Sequence, residues 1–159
     1  MNPAQVQDVQ AFVQAEARLL NQARYPDWLA LFAQEGRYWV PLGGDAQSDS
    51  DTHNALADED RLLLTLRVER LLAGRAHSQQ PASRSAHVLQ LPQVDVCNDQ
   101  RAEVYTPFTY VESRGEQQIW LAGQWCHRLC REQGAWRIAL KRVNLLNAGA
   151  AHTAIQLFP

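Results

Sequence analysis

The chain has 159 residues, 46% of them hydrophobic, and fifteen Lys and Arg against seventeen Asp and Glu give a formal net charge of -2. That length supports one domain with a substantial core and leaves little room for a second. The near balance of charge excludes a protein held on nucleic acid chiefly by phosphate neutralisation. Cys97, Cys126 and Cys130 make no even-numbered disulfide framework and are expected as free thiols in a reducing compartment. The N-terminal stretch MNPAQVQDVQAFVQAEARLL lacks the basic start and unbroken apolar run of a secretory signal, and no segment approaches bilayer-spanning length. A soluble, cytoplasmic protein is the expectation, with no membrane and no nucleic acid among its partners.

The first periodic segment runs from Val6 to Ala23. Val9, Phe12, Val13, Glu16, Leu19 and Leu20 recur at helical spacing. Glu16 falls inside this apolar stripe, and a buried carboxylate there needs a partner, as a structural hydrogen bond or an interface ion pair. YPDWLALF predicts a short second helix, with Pro26 and Asp27 suiting its first turn and Gly36 its stop. RYWVPL reads as a strand ending near Pro41. Residues 43–55 are rich in turn formers and predict a long loop.

LADEDRLLLTLRVERLLAG predicts a third helix. Leu62, Leu66, Glu69 and Ala73 mark one face, Asp58 to Asp60 lie at the positive end, and Gly74 supplies a stop. A second loop covers 75–86. The period then changes. Leu89, Leu91, Val94 and Val96 form a strand pair or bulged strand around Pro92. AEVYTPFTYVES, with Val104, Phe108 and Tyr110 on one side, is followed by the turn RGE and the long strand QQIWLAGQWCHRLC. REQGA turns the chain into WRIALKRVNLL. Tight turns between long strands imply antiparallel hairpins, and helices followed by sheet imply an α+β domain with helices on one side of a curved sheet. The apolar tail TAIQLF is expected to dock on the domain or a neighbour.

Several residues have the chemistry for a site. In a strand, Cys126 and Cys130 share a face but stand about 13 Å apart, too far for one tetrahedral zinc, and His127 points the other way. Small buried hydrophobes or interface thiols are the better reading. A nucleophilic cysteine with His87 or His127 as base rests on geometry that one chain cannot show. Tyr38, Asp60, His87 and Tyr110 are candidate lining residues of a pocket enclosed by the sheet, where a carboxylate or histidine could act as base and a tyrosine could stabilise an enolate. The favoured reading is plainer: Asp60 caps the third helix, His87 donates a structural hydrogen bond, and both tyrosines pack with their polar ends satisfied. Arg84, His87, Lys141 and Arg142 form no phosphate loop and are expected to meet partner carboxylates. Five tryptophans, Trp28, Trp39, Trp120, Trp125 and Trp136, serve the core or a subunit interface.

Taken together, three segments resemble the small, beta subunit of aromatic-ring-hydroxylating dioxygenases, the Rieske non-haem iron oxygenases. They are FVQAEARLLNQARYPDWLALFAQEGRYWVPL, EDRLLLTLRVERLLAGRAHSQQPASRSAHVLQLPQV and GQWCHRLCREQGAWRIALKRVNLL. The resemblance rests on Glu16, Tyr25, Trp28, Leu31, Tyr38 and Pro41, then on Asp60, Arg61, Arg67, Arg70, Pro81, Ser83, Arg84 and His87, and finally on Gly123, Trp136, Lys141 and Leu145. It implies a cystatin-like, NTF2-like cone in a single domain, 1–159, with a curved antiparallel sheet packed against the N-terminal helices. It also implies an alpha subunit as partner in an α3β3 hexamer, with the Rieske [2Fe-2S] cluster and the mononuclear non-haem iron in alpha. A separate reductase component would pass electrons from NADH or NADPH. The reaction implied is cis-dihydroxylation of an aromatic ring, and the beta subunit is structural.

The residues agree with a chain that carries no catalytic, cofactor-binding or metal-binding group. A Rieske centre needs two cysteines and two histidines in suitable spacing, and the iron needs two histidines and a carboxylate. Here His53, His77, His87, His127 and His152 are scattered, with no Cys-x-His followed by Cys-x-x-His. The loops at 43–55 and 75–86 are candidates for contact with alpha. Asn144 and Asn147 stand near a strand end where the family often has an acid. The segment AHSQQPASRS is similar to that of subunits from systems acting on aromatic carboxylates such as terephthalate. The rival reading is a stand-alone isomerase, dehydratase or cyclase of the same cone fold using Asp60 or His87. A third is a small-molecule binding module.

Overall fold

Asn2 and Pro3 set the start of the first helix. A computed structural model of the chain, which describes residues 1–50, 54–77, 82–148 and 155–159, places α1 at Pro3–Asn21. The Asn2 side chain accepts from the Ala4 amide at 2.9 Å, and Pro3 needs no amide partner at the helix start. The helix therefore begins before the expected Val6. Val9, Val13, Glu16, Ala17 and Leu20 are its buried residues, so the apolar period of the sequence is the buried stripe.

Helix α2, Tyr25–Leu29, is shorter than expected, and strand β1 already begins at Phe32 and runs to Pro41. Gly36 thus stands inside a strand and not at a helix end. A Cβ there would lie 2.7 Å from the Ile138 carbonyl oxygen. The bare backbone allows a close approach where the pairing of β1 slips between Phe32 and Arg37.

The acidic run assigned to a helix start is also a strand. β2, Ala55–Asp60, pairs antiparallel with β1, and Arg37 clamps Asp58 through two bonds of 2.6 and 2.9 Å. Asp60 alone keeps the capping role, accepting the Leu63 amide at 2.9 Å at the head of α3, Arg61–His77. This helix runs past Gly74. It turns Leu64 and Val68 inward, while Leu62, Leu66, Glu69 and Ala73, which the sequence marks as one face, are exposed.

Five further strands follow: β3 (Arg84–Leu89), β4 (Gln93–Cys97), β5 (Arg101–Arg114), β6 (Gln117–Glu132) and β7 (Ala135–Leu145). They join β1 and β2 in one seven-stranded sheet of order β2-β1-β7-β6-β5-β3, with β4 also on β5. All pairs are antiparallel except β1 with β7, which is parallel. β3 and β4 share one edge of β5, on either side of the break at Pro92. The helices cover the inner face of this curved, partly mixed sheet, and the core fills the cone between them.

Gly123 marks the tightest approach between β6 and β7. A Cβ there would fall 2.0 Å from the Asn144 carbonyl oxygen. Trp28, Trp39 and Trp125 are wholly buried and Trp136 nearly so, whereas Trp120 is 65% exposed.

Candidate functional site: the interior of the cone

Alternation along β5, β6 and β7 sends one set of side chains into the cone. At its inner end lies Glu16 from α1, with no exposure to solvent. Its Oε1 accepts from Lys141 Nζ at 2.6 Å and from Trp28 Nε1 at 3.0 Å, and its Oε2 lies 2.7 Å from His127 Nε2. A carboxylate only accepts, so His127 carries its proton on Nε2. Lys141 Nζ also sits 3.4 Å from the centre of the Trp125 ring. Burial alone would push the Glu16 carboxyl up, but the Lys141 and His127 charges and hydrogen bonds reverse this and hold it well below the usual carboxylate range. Burial likewise pulls the Lys141 amine down, against the attraction of Glu16. The cluster is a closed ion pair with its charged atoms engaged on one another.

Toward the mouth stand His87, Tyr110, Glu112 and Tyr38. His87 packs against Tyr110, Trp125 and Phe108, with ring centres 4.8, 5.0 and 6.2 Å away. Burial takes its pKa down to about 3, so the ring is neutral near pH 7. Its Nδ1 lies 2.9 Å from Asn21 Oδ1, and its Nε2 lies 3.0 Å from the Phe158 carbonyl oxygen. Asn21 Oδ1 also accepts the His87 amide at 2.8 Å, which fixes that oxygen as an acceptor. The neutral imidazole therefore has one N–H for two acceptors.

The remaining volume is filled by the chain itself. Leu157, Phe158 and Pro159 are buried. The Phe158 ring lies 4.4 Å from Trp28, 5.6 Å from Tyr38 and 5.8 Å from Tyr25, with the Arg67 guanidinium carbon 4.1 Å from its centre. Glu112 accepts the Gln156 and Leu157 amides at 2.9 Å each. Arg67 donates to the Leu157 carbonyl at 2.8 Å, and the Tyr38 hydroxyl donates to the Pro159 carbonyl at 3.1 Å. Tyr110 donates to Glu112 at 2.6 Å, and burial with the neighbouring Glu112 pushes its phenol far above the ordinary value. Docking of the apolar tail on its own domain is observed for residues 155–158, while Thr153 and Ala154 lie outside the described residues.

The candidate residues separate accordingly. Tyr38, His87 and Tyr110 do meet in the cone. Asp60 does not: it is an exposed helix cap. His127 is inside, and Cys126 and Cys130 are on the outer face. Both thiols are half-buried and pushed up by burial, so they are less enclosed than expected, while Cys97 is buried. Lys141 and Arg142, expected to meet partner carboxylates, are spent internally. Arg142 binds Asn144, Asp49 and the Gly44 and Gln47 carbonyls, pinning the loop after β1 across the outer face. A pocket of about 320 Å³ lies there, lined by the four acids Asp45, Asp49, Asp95 and Glu103 and by the two cations Arg128 and Arg142. His53, His152 and Pro81, and the side chain of His77, lie outside the described residues.

Sequence reasoning missed Glu112. The signal was present, since Glu112 has the same strand parity as Val104, Phe108 and Tyr110. Among the described residues no group of three or more His, Cys, Asp or Glu is placed to hold a metal ion. These residues do not fit a Rieske cluster or a mononuclear iron.

The fold is an NTF2-like cone, with N-terminal helices packed against a curved, partly mixed sheet as in known beta subunits. The chain belongs to the ring hydroxylating beta subunit family, which matches residues 15–150. It is 34% identical over 139 residues to the small oxygenase component of the p-cumate 2,3-dioxygenase system of Pseudomonas putida, covering 85% of this chain and 76% of that one. It superposes on the beta subunit of benzoate 1,2-dioxygenase from Burkholderia mallei with a TM-score of 0.74 at 22% identity, over 92% of both chains. A chain of naphthalene 1,2-dioxygenase gives a TM-score of 0.80 at 19% identity, over 100% of this chain and 88% of that one. The protein is a non-catalytic beta subunit of an NAD(P)H-dependent, multicomponent ring-hydroxylating dioxygenase, and catalysis on the aromatic substrate resides in the alpha subunit. No helix among the described residues is long and apolar enough to cross a membrane.

Proposed function

We propose that the chain, as one domain of residues 1–159, joins a larger alpha subunit in an α3β3 hexamer in the cytoplasm. The alpha subunit holds the Rieske [2Fe-2S] cluster and the mononuclear iron, a reductase component delivers the electrons, and the product is a cis-dihydrodiol. No residue of this chain acts as a catalytic, cofactor-binding or metal-binding group. The observation that carries this reading is the filled cone. Where a stand-alone enzyme of this fold would hold substrate, Phe158 and Leu157 are buried and the polar groups of the wall are engaged on them. The rival chemistry loses its acid, because Asp60 is a helix cap on the surface. The segments 43–55 and 75–86, which include helical and strand residues as well as connections, contribute to contact with alpha.

The substrate we infer is an aromatic carboxylate, with terephthalate the narrower candidate. Support comes from relatives named for p-cumate, 2-halobenzoate and benzoate, at 34%, 36% and 30% identity. The relatives named for benzene stand at 25–26%, and the one named for chlorobenzene at 28%. Co-expression with the alpha chain tests both parts. Native mass is expected to give three copies of each chain, and turnover to favour terephthalate or benzoate over benzene. A one-to-one dimer would overturn the hexamer, and preference for the unsubstituted hydrocarbon would overturn the substrate class.

A further inference from the structure

We propose that the mouth of the cone is a peptide-binding site that residues 155–159 occupy in cis and can vacate. Its ligand class is a short segment, uncharged in its side chains, that carries a leucine at a bend followed directly by an aromatic side chain.

The segment is held as a ligand is held, and not as a strand. Residues 155–159 pair with no strand of the sheet. Their backbone is read at both ends instead. The two oxygens of Glu112 take the Gln156 and Leu157 amides, and Arg67, His87 and Tyr38 face the carbonyls of Leu157, Phe158 and Pro159. Between these contacts the Phe158 ring enters a cage of Trp28, Tyr38 and Tyr25, with Arg67 over one face. Main-chain bonds give affinity and a side-chain pocket gives selectivity, which is the usual division of labour in peptide recognition.

The seat is also built without its occupant. Glu112 is held by the Tyr110 hydroxyl, Arg67 by Glu59, His87 by Asn21 and the Trp28 indole by Glu16. Each wall group thus keeps a fixed position when the segment leaves, so the seat is preorganised. An open groove of about 480 Å³, lined among others by Leu56, Arg70 and Leu157, runs alongside the segment and offers a path out. Arg70 is exposed there.

Two measurements on the 159-residue chain test this. In hydrogen exchange, the Gln156 and Leu157 amides should exchange at least about 10-fold faster than those of β5 around Tyr110, because a strap opens without global unfolding. Equal rates would make the segment an inseparable part of the core and overturn the proposal. In the second measurement, labelled peptide Ile-Gln-Leu-Phe-Pro is titrated against wild-type and Phe158→Ala chains. The variant should bind it about 100-fold more tightly than wild type, because the weakened tail no longer competes. The same peptide with Phe replaced by Ala should not bind. A folded variant that ignores the peptide overturns the proposal, and if the variant does not fold the exchange rates decide.

Discussion

At the scale of single residues, the buried charges decide how this chain responds to pH and substitution. Glu16→Gln leaves the Lys141 ammonium buried beside a neutral amide, and breaking one side of such a pair costs about 3–5 kcal/mol. Urea unfolding of the variant should show that loss; an unchanged midpoint would mean Lys141 has another counter-charge. His87 sets the acid side. Its folded pKa of about 3 lies below the ordinary 6.5, so below pH 6.5 the unfolded chain takes up a proton that the folded chain refuses. Stability should therefore fall by about 2 kcal/mol between pH 7 and pH 5. Glu16, also depressed on folding, adds to the loss below about pH 4.5, where its unfolded carboxyl protonates first. His87→Gln should flatten the profile between pH 7 and pH 5, and a slope left intact would assign the effect elsewhere. The sequence already showed that Glu16 needs a partner, because it sits in an apolar stripe. It could not show that the partners are Lys141 and His127, more than a hundred positions away on two strands.

At the scale of elements, local rules succeeded where the pattern had one reading and failed where it had two. β5 and β6 alternate cleanly, and their hairpin was legible from Val104, Phe108 and Tyr110. Helix α3 was harder, with leucines at 62, 63, 64, 66, 71 and 72 giving no unique face. The sheet and α2 choose the face bearing Leu64 and Val68. Leu64→Ala should cost about 2–5 kcal/mol, whereas Leu62→Ala, at 67% exposure, should stay within about 0.5 kcal/mol in the isolated chain. Comparable losses at both positions would contradict this orientation. Gly36 and the DED run were misread because a glycine or an acid near a helix boundary is ambiguous until strand pairing is known. Gly123 is less so. Gly123→Ala drives a Cβ into the Asn144 carbonyl and should lower the melting temperature, by about 1–3 kcal/mol of overpacking; a variant as stable as wild type would show that β6 and β7 can separate there.

At the scale of the whole molecule, the same cone that encloses substrate in enzymes is here closed by its own tail and braced by an internal ion pair. The family resemblance was legible from residues spread through the chain. The closure was not, because nothing in TAIQLF says which apolar surface it will meet. The mouth residues Glu112 and Arg67 gain their meaning only once that segment is in place. A cone so filled offers its partner shape and surface, and the reactive centre lies with the alpha subunit. Reconstitution tests this most directly: the chain and its alpha partner are purified apart, assayed for iron and for oxygenation of an aromatic carboxylate with reductase and NADH, and then mixed. Iron is expected in the alpha chain alone, with no turnover by the beta chain and full turnover on mixing. Stoichiometric iron or oxygenation in the beta chain by itself would contradict it.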